Sequence, residues 1–163
     1  MYRRKIRGYV RIGRLPAVLE VYGKIKVEGK AYLGQGAKVC VGKNAMLNIG
    51  NNVVNTAEAR IVCFKKMSIG KNTVIGWEAT LMDTDFHKTE NVSTGELSIP
   101  EKEIKIGKGV WIGQRATILK GCQIANGCII AACAVVAKSF VDENAILAGN
   151  PAEVKKIGFR LHR

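Results

Sequence analysis

The sequence predicts an all-β protein, a parallel β-helix in which the chain winds into a three-sided prism. Three periodic features carry that expectation. Aliphatic residues recur every six positions: Ile106, Ile112, Ile118, Ile124, Ile130 and Val136 form an unbroken series. Four places beyond many of the repeating aliphatics stands a small or slim residue, as at Ala31, Ala37, Ala45, Val53, Thr73, Ala79, Ala116, Cys128 and Ala134. The third place is often Gly or Asn (Gly36, Asn44, Asn52, Asn72, Gly109, Gly127), the types that accept positive φ and so mark tight corners. Short strand, corner, short strand, with one inward aliphatic per six residues, gives three sides per coil, and successive coils pair as parallel strands about 4.8 Å apart. An α-helix needs apolar spacing near 3.6, which is absent here.

Residues 1–30 form a basic N-terminal segment and first coil, with nine Lys/Arg against two Glu, much of the chain's net +13. The charges of Met1–Arg14 resemble the start of a secretion signal, but no apolar stretch follows, so the expectation is a cytoplasmic protein. Contact with the inner face of a membrane through the basic segment is a secondary expectation. The six-residue step then joins Val27 to Leu33 and Val41 to Leu47, after which Ile49 restarts the count. It resumes through Ile69, Ile75 and Leu81, breaks over an inserted loop of about 83–104, and runs on from Ile106. A short tail, 151–163, closes a single domain of 1–163.

Composition narrows the function. Interleaved aromatics and a helix-turn-helix pattern are both missing, so nucleic acid is not an expected partner. The five cysteines form no C-x-x-C pair and stand where other repeats carry Ala, Val or Thr; they read as small buried residues, with no metal site. With only two histidines, His87 and His162, the chain cannot supply a three-histidine zinc site.

The interruption is the informative segment. Residues 84–103 are polar and acidic, with Gly95 and Pro100 as breakers, and a long insertion inside a compact domain is usually functional. By the sixfold count His87 falls where the next inward aliphatic belongs, so the chain leaves the coil at or just before it. A neutral imidazole suits proton removal from a hydroxyl or amine near pH 7. A carboxylate at Nδ1 fixes the tautomer and stabilises the imidazolium, and Asp85 and Asp83 are the local candidates. A solvated loop histidine among acids is the alternative.

Three segments, IGKNTVIGWEATLMDTDFH, IGKGVWIGQRATILKG and AGNPAEVKKIG, resemble the acetyltransferases of the hexapeptide-repeat family over Ile69–Ile157. That resemblance implies a left-handed β-helix, although parallel crossovers in general are right-handed in about 98% of cases. It also implies a homotrimer with acetyl-CoA sites between subunits. His87 then becomes the general base, Trp111 lines the cleft, and the amide of Gln114, just after Gly113, polarises the thioester carbonyl. Ala132, Ala134 and Lys138 correspond to the stretch that meets coenzyme A. Lys155 and Lys156 stand in for basic residues near its phosphates, because Glu153 occupies a place where relatives often carry Lys or Arg. The expected activity is acetyl transfer from acetyl-CoA to a hydroxyl of a sugar or cell-surface polysaccharide precursor. N-acetylation of an amino sugar, O-acetylation of an antibiotic, and a non-catalytic β-helix scaffold are the alternatives. Neither a long helical N-terminal domain, as in serine acetyltransferases, nor a nucleotide-binding domain is expected.

Overall fold

A computed structural model describes residues 6–12 and 16–162, with side chains from residue 16 onward. The arginine-rich stretches 1–5 and 13–15 lie outside the described residues, and with them much of the basic segment on which the membrane expectation rests. All regular structure among the described residues is β, in eighteen strands, with no helix.

Three parallel faces wind around one core. The first carries the start of Lys24–Leu33, then Met46–Ile49, Lys66–Ile69, Ile104–Ile106 and Gln123–Ile124. The second carries the end of Lys24–Leu33, then Val53–Asn55, Val74–Ile75, Trp111–Ile112, Ile129–Ile130 and Ala145–Gly149. The third runs from Val18–Val21 through Lys38–Val41, Arg60–Cys63, Thr80–Met82 and Thr117–Ile118 to Val135–Val136. Because Lys24–Leu33 turns a corner without breaking, it joins the first two faces into one twelve-stranded sheet, beside a six-stranded one. This is the expected parallel β-helix, consistent with the left-handed form.

Every aliphatic of the unbroken series is buried, and so are all nine small residues at the fourth place. The strict period holds only after the loop, where Lys105 pairs with Gln123, eighteen residues on. Upstream, Lys24 pairs with Met46 and Met46 with Lys66, coils of twenty-two and twenty residues. These coils lengthen a side with a second inward residue, as Leu47 and Ile49 on one strand illustrate. Five of the six predicted corner residues do take positive φ; Asn44 does not. The corner between the second and third faces instead places Glu58, Glu78, Arg115 and Cys133 at φ near +60°.

The insertion is not structureless. Its ends and middle are bridged in antiparallel fashion, Thr84 with Glu101 and Glu90 with Leu97, so it stands out as a hairpin-like arm. The tail also gains order, since Ala152–Ile157 folds back antiparallel on Ala145–Gly149 and closes the end of the second face.

Of the cysteines, Cys63, Cys122 and Cys128 are buried as expected, whereas Cys40 is half-buried and Cys133 is exposed. Burial, with the Asp83 carboxylate beside it, pushes the Cys63 thiol far up, and burial pushes Cys122 up to about 11. Such thiols stay protonated at neutral pH and are poor nucleophiles.

Candidate active site

The corner between the second and third faces is a stack of tight turns. In Gly113–Ala116 the Ala116 amide donates to the Gly113 carbonyl at 3.2 Å, and Arg115 at the third place has φ 57°. The same turn recurs one coil further at Ala131–Ala134 and one coil earlier at Gly76–Ala79, closed at 3.2 and 3.3 Å. Each third-place amide donates to the preceding coil: Arg115 N–H to the Trp77 carbonyl, and Cys133 N–H to the Gln114 carbonyl, both at 2.9 Å. Among the described residues, the second-place amides of Trp77, Gln114 and Ala132 have no acceptor. One free donor per coil therefore lines this corner, about 4.8 Å from the next.

Glycine is required where those coils approach. A Cβ on Gly113 would lie 2.7 Å from both the Ala132 nitrogen and the Ile130 carbonyl oxygen. One on Gly76 would lie 2.8 Å from the Gln114 nitrogen. Arg115 reaches back to Glu78 with two hydrogen bonds, 3.0 and 3.2 Å, which hold that carboxyl below the usual carboxylate range.

His87 is exposed on the arm, and among the described residues its imidazole has no hydrogen-bonding or ionic partner. Its backbone is fixed, since its N–H donates to the Asp85 carbonyl at 2.7 Å and the adjacent Phe86 packs edge-on against Phe64, ring centres 5.0 Å apart. The Asp85 carboxylate pairs with Lys120, whose ammonium also donates to the Ile99 carbonyl at 2.7 Å, pinning both legs of the arm to the coil below.

Asp83 does something different from the expectation. It is fully buried and accepts backbone N–H bonds from Phe64, Lys65 and Lys66 at 2.6, 3.0 and 2.9 Å. Both oxygens are committed to the corner of the preceding coil, so Asp83 is a structural cap rather than a partner for the imidazole. Ala134 also departs from expectation: its methyl is in the core and its amide closes the Ala131 turn, leaving nothing to offer a ligand. The available groups of that coil are the amide of Ala132 and exposed Lys138, whose ammonium sits 5.5 Å from the centre of the Phe140 ring. Lys155 pairs with Glu153 at 3.0 Å and Lys156 lies 5.6 Å from the Phe159 ring centre, both exposed on the closing strand.

Sequence reasoning missed two features, the pinning of the arm by Lys120 at the far end of the third face and the exposure of Trp77 at this corner. Trp77 and Trp111 are the only tryptophans in the chain, and they are 61% and 40% exposed on adjacent coils. Beside them the second face is apolar on its outer side too, where Tyr32, Val54, Val74, Trp111, Ile129 and Ile146 follow in register.

Within one chain, His87 and the Gln114 amide lie at opposite ends of the third face. Gln114 precedes Thr117 at one corner, while the arm departs after Met82 at the other. The intervening side is roughly 15 Å wide at about 3.3 Å per residue.

Comparison with known proteins shows what the chain is similar to. The family model described as "Bacterial transferase hexapeptide (six repeats)" matches residues 103–138. The putative lipopolysaccharide biosynthesis O-acetyl transferase WbbJ of Escherichia coli is 26% identical over 90% of this chain and 78% of its own. A "24.8 kDa protein in cps region" of Klebsiella pneumoniae is 31% identical over 82% of this chain, which spans 59% of its length. Among solved structures, the polysialic acid O-acetyltransferase OatWY superposes with a TM-score of 0.66 at 25% identity, covering 96% of this chain and 92% of that one.

Proposed function

We propose that the protein is a hexapeptide-repeat acyltransferase that moves an acetyl group from acetyl-CoA to a hydroxyl of a saccharide, with His87 as general base and the Gln114 amide as oxyanion donor. The observation that carries the reading is the unsatisfied N–H of Gln114, held rigidly in a turn whose glycine, Gly113, lets the backbone of the next coil pack directly against it. A fixed amide aimed at a developing oxyanion is worth about 3–4 kcal/mol. The resemblance of the chain to named O-acetyltransferases supplies the reaction class.

In the proposed reaction the substrates meet in one cleft, which supplies much of the rate. His87 removes the proton from the acceptor hydroxyl as its oxygen attacks the thioester carbonyl carbon. The Gln114 amide stabilises the oxyanion; the C–S bond then breaks, and the coenzyme A thiolate takes up the proton. The Ala132 amide and Lys138 suit the amide-rich and anionic parts of acetyl-CoA on the same side, with Lys155 and Lys156 as mobile charges for its phosphates. Asp85, already engaged by Lys120, is the remaining one of the two carboxylates expected beside the base.

Because base and oxyanion donor are a face apart in one chain, the reading requires a second copy to bring them together. The outward apolar column from Tyr32 to Ile146 suits such packing, and a closed trimer satisfies every copy equally. Thiol release from acetyl-CoA, screened over saccharides, amino sugars and antibiotics, tests the function. Release with a neutral or acidic saccharide, yielding a base-labile ester and lost in His87→Ala, is the expected result. A base-stable amide product establishes N-acetylation instead, and release unchanged in His87→Ala refutes the proposed base.

A further inference from the structure

We propose that Trp77 is the platform on which the sugar ring of the acceptor stacks, an inference that rests on the acyl-transfer reading above. Tryptophan is the costliest side chain to leave in water, and an exposed indole beside a free hydrogen-bond donor is characteristic of a recognition surface. Trp77 occupies the same turn position as Gln114, one coil earlier, and the two coils are locked by the bond from the Arg115 amide to the Trp77 carbonyl at 2.9 Å. Ala132 holds that position one coil later. The column thus reads Trp77, Gln114, Ala132, with the oxyanion donor in the middle. If the donor's amide-rich arm follows Ala132, the acceptor approaches from the other side, where Trp77 stands.

The surroundings suit a pyranose. On the far side of Trp77 the column carries half-buried Ala57, too small to cover the indole, and Trp111 stands on the next coil of the second face. At the edge lies Glu78, held in place by the two-pronged contact from Arg115. An aromatic face for the apolar C–H surface of a ring, with a fixed carboxylate and guanidinium at its rim for hydroxyls, separates a saccharide from a plain aliphatic alcohol. Trp77 therefore contributes acceptor affinity and selectivity, not chemistry.

Two measurements test this. Trp77→Ala is expected to raise the acceptor KM about tenfold, the loss of one aromatic stacking contact, with the acetyl-CoA KM within about twofold of wild type and Trp77→Phe recovering most of the loss. In Trp111→Phe, which leaves Trp77 as the sole tryptophan, maltose, methyl β-galactoside and oligosialic acid are titrated as probes. A saturable change in emission with at least one of them, absent with coenzyme A alone, is the supporting result. An acceptor KM unmoved by Trp77→Ala, or emission indifferent to all three probes, overturns the assignment. So does dissociation of the oligomer on Trp77→Ala, which would make the indole a subunit contact. An absence of acetyl transfer in the wild type refutes the functional reading instead and leaves the emission titration standing as a separate test.

Discussion

Replacing Asp83 separates a structural carboxylate from a catalytic one. Its side chain is wholly buried and takes three backbone N–H bonds from the corner 64–66. A hydrogen bond to a charged acceptor contributes about 1.5–3 kcal/mol. Lys65 and Lys66 are exposed, so water replaces part of what their amides lose. Counting about 1–2 kcal/mol for the Phe64 amide and about 1–1.5 kcal/mol for each of the two exposed ones, Asp83→Ala costs about 3–5 kcal/mol. At about 2–4 °C per kcal/mol for a chain of this size, the melting temperature drops by roughly 6–20 °C. Asp83→Asn keeps one acceptor for Phe64 but turns a donor toward the other two amides, and costs about 2–3 kcal/mol. Thermal and urea melts at one fixed protein concentration read the loss, since oligomerisation makes stability concentration-dependent. At a temperature where Asp83→Asn is fully folded, its kcat is expected to stay within about threefold of wild type. A variant that melts with the wild type yet loses turnover about a hundredfold would refute the capping role and return Asp83 to the imidazole.

Other perturbations bear on separate parts of the account. Gln114→Pro removes the free N–H while keeping a backbone angle suited to the second place of this turn, so kcat is expected to fall about 10²–10³-fold with little change in stability, and Gln114→Ala to retain activity. Equal loss in both variants, read by steady-state kinetics, would contradict the oxyanion role. Gly113→Ala drives a methyl to 2.7 Å from two backbone atoms of the next coil and is expected to cost about 1–3 kcal/mol in a urea melt. With the Cys122 thiol raised from 9.0 to about 11 by burial, its contribution to stability is full below pH 9 and is lost as pH climbs toward 11. Alkaline melts of Cys122→Ala should therefore fall less steeply than wild type over that range. At pH 8 the native protein should react rapidly with a thiol reagent at exposed Cys133, with Cys63, Cys122 and Cys128 released only on unfolding; prompt labelling of Cys122 would contradict its burial.

The repeat was legible in the sequence because each coil needs the same inward aliphatic at the same place, and Ile106 to Val136 state it without noise. The lengthened early coils were harder to read, since a side with two inward residues, such as Leu47 and Ile49, breaks a six-residue count without breaking the pairing. The Asp83 cap was hidden for another reason. An acid four residues before a histidine looks like its partner, and only three dimensions show that its oxygens face the amides of a segment seventeen to nineteen residues earlier. Ala134 misled similarly, because a motif match does not say which of two alternating residues points inward. The exposed indole of Trp77 carried no sequence signal beyond its type, since the second place of a turn reads the same whether a neighbour covers it or not.

The central claim is that one copy's arm meets another copy's turn. Mixing His87→Ala and Gln114→Pro subunits by reversible dissociation tests it directly. In a cyclic trimer with random mixing, about one cleft in four pairs an intact imidazole with an intact amide. Two individually inactive proteins are thus predicted to regain about a quarter of wild-type turnover once mixed. Verified mixed trimers with no more activity than their parents would contradict a cleft shared between subunits.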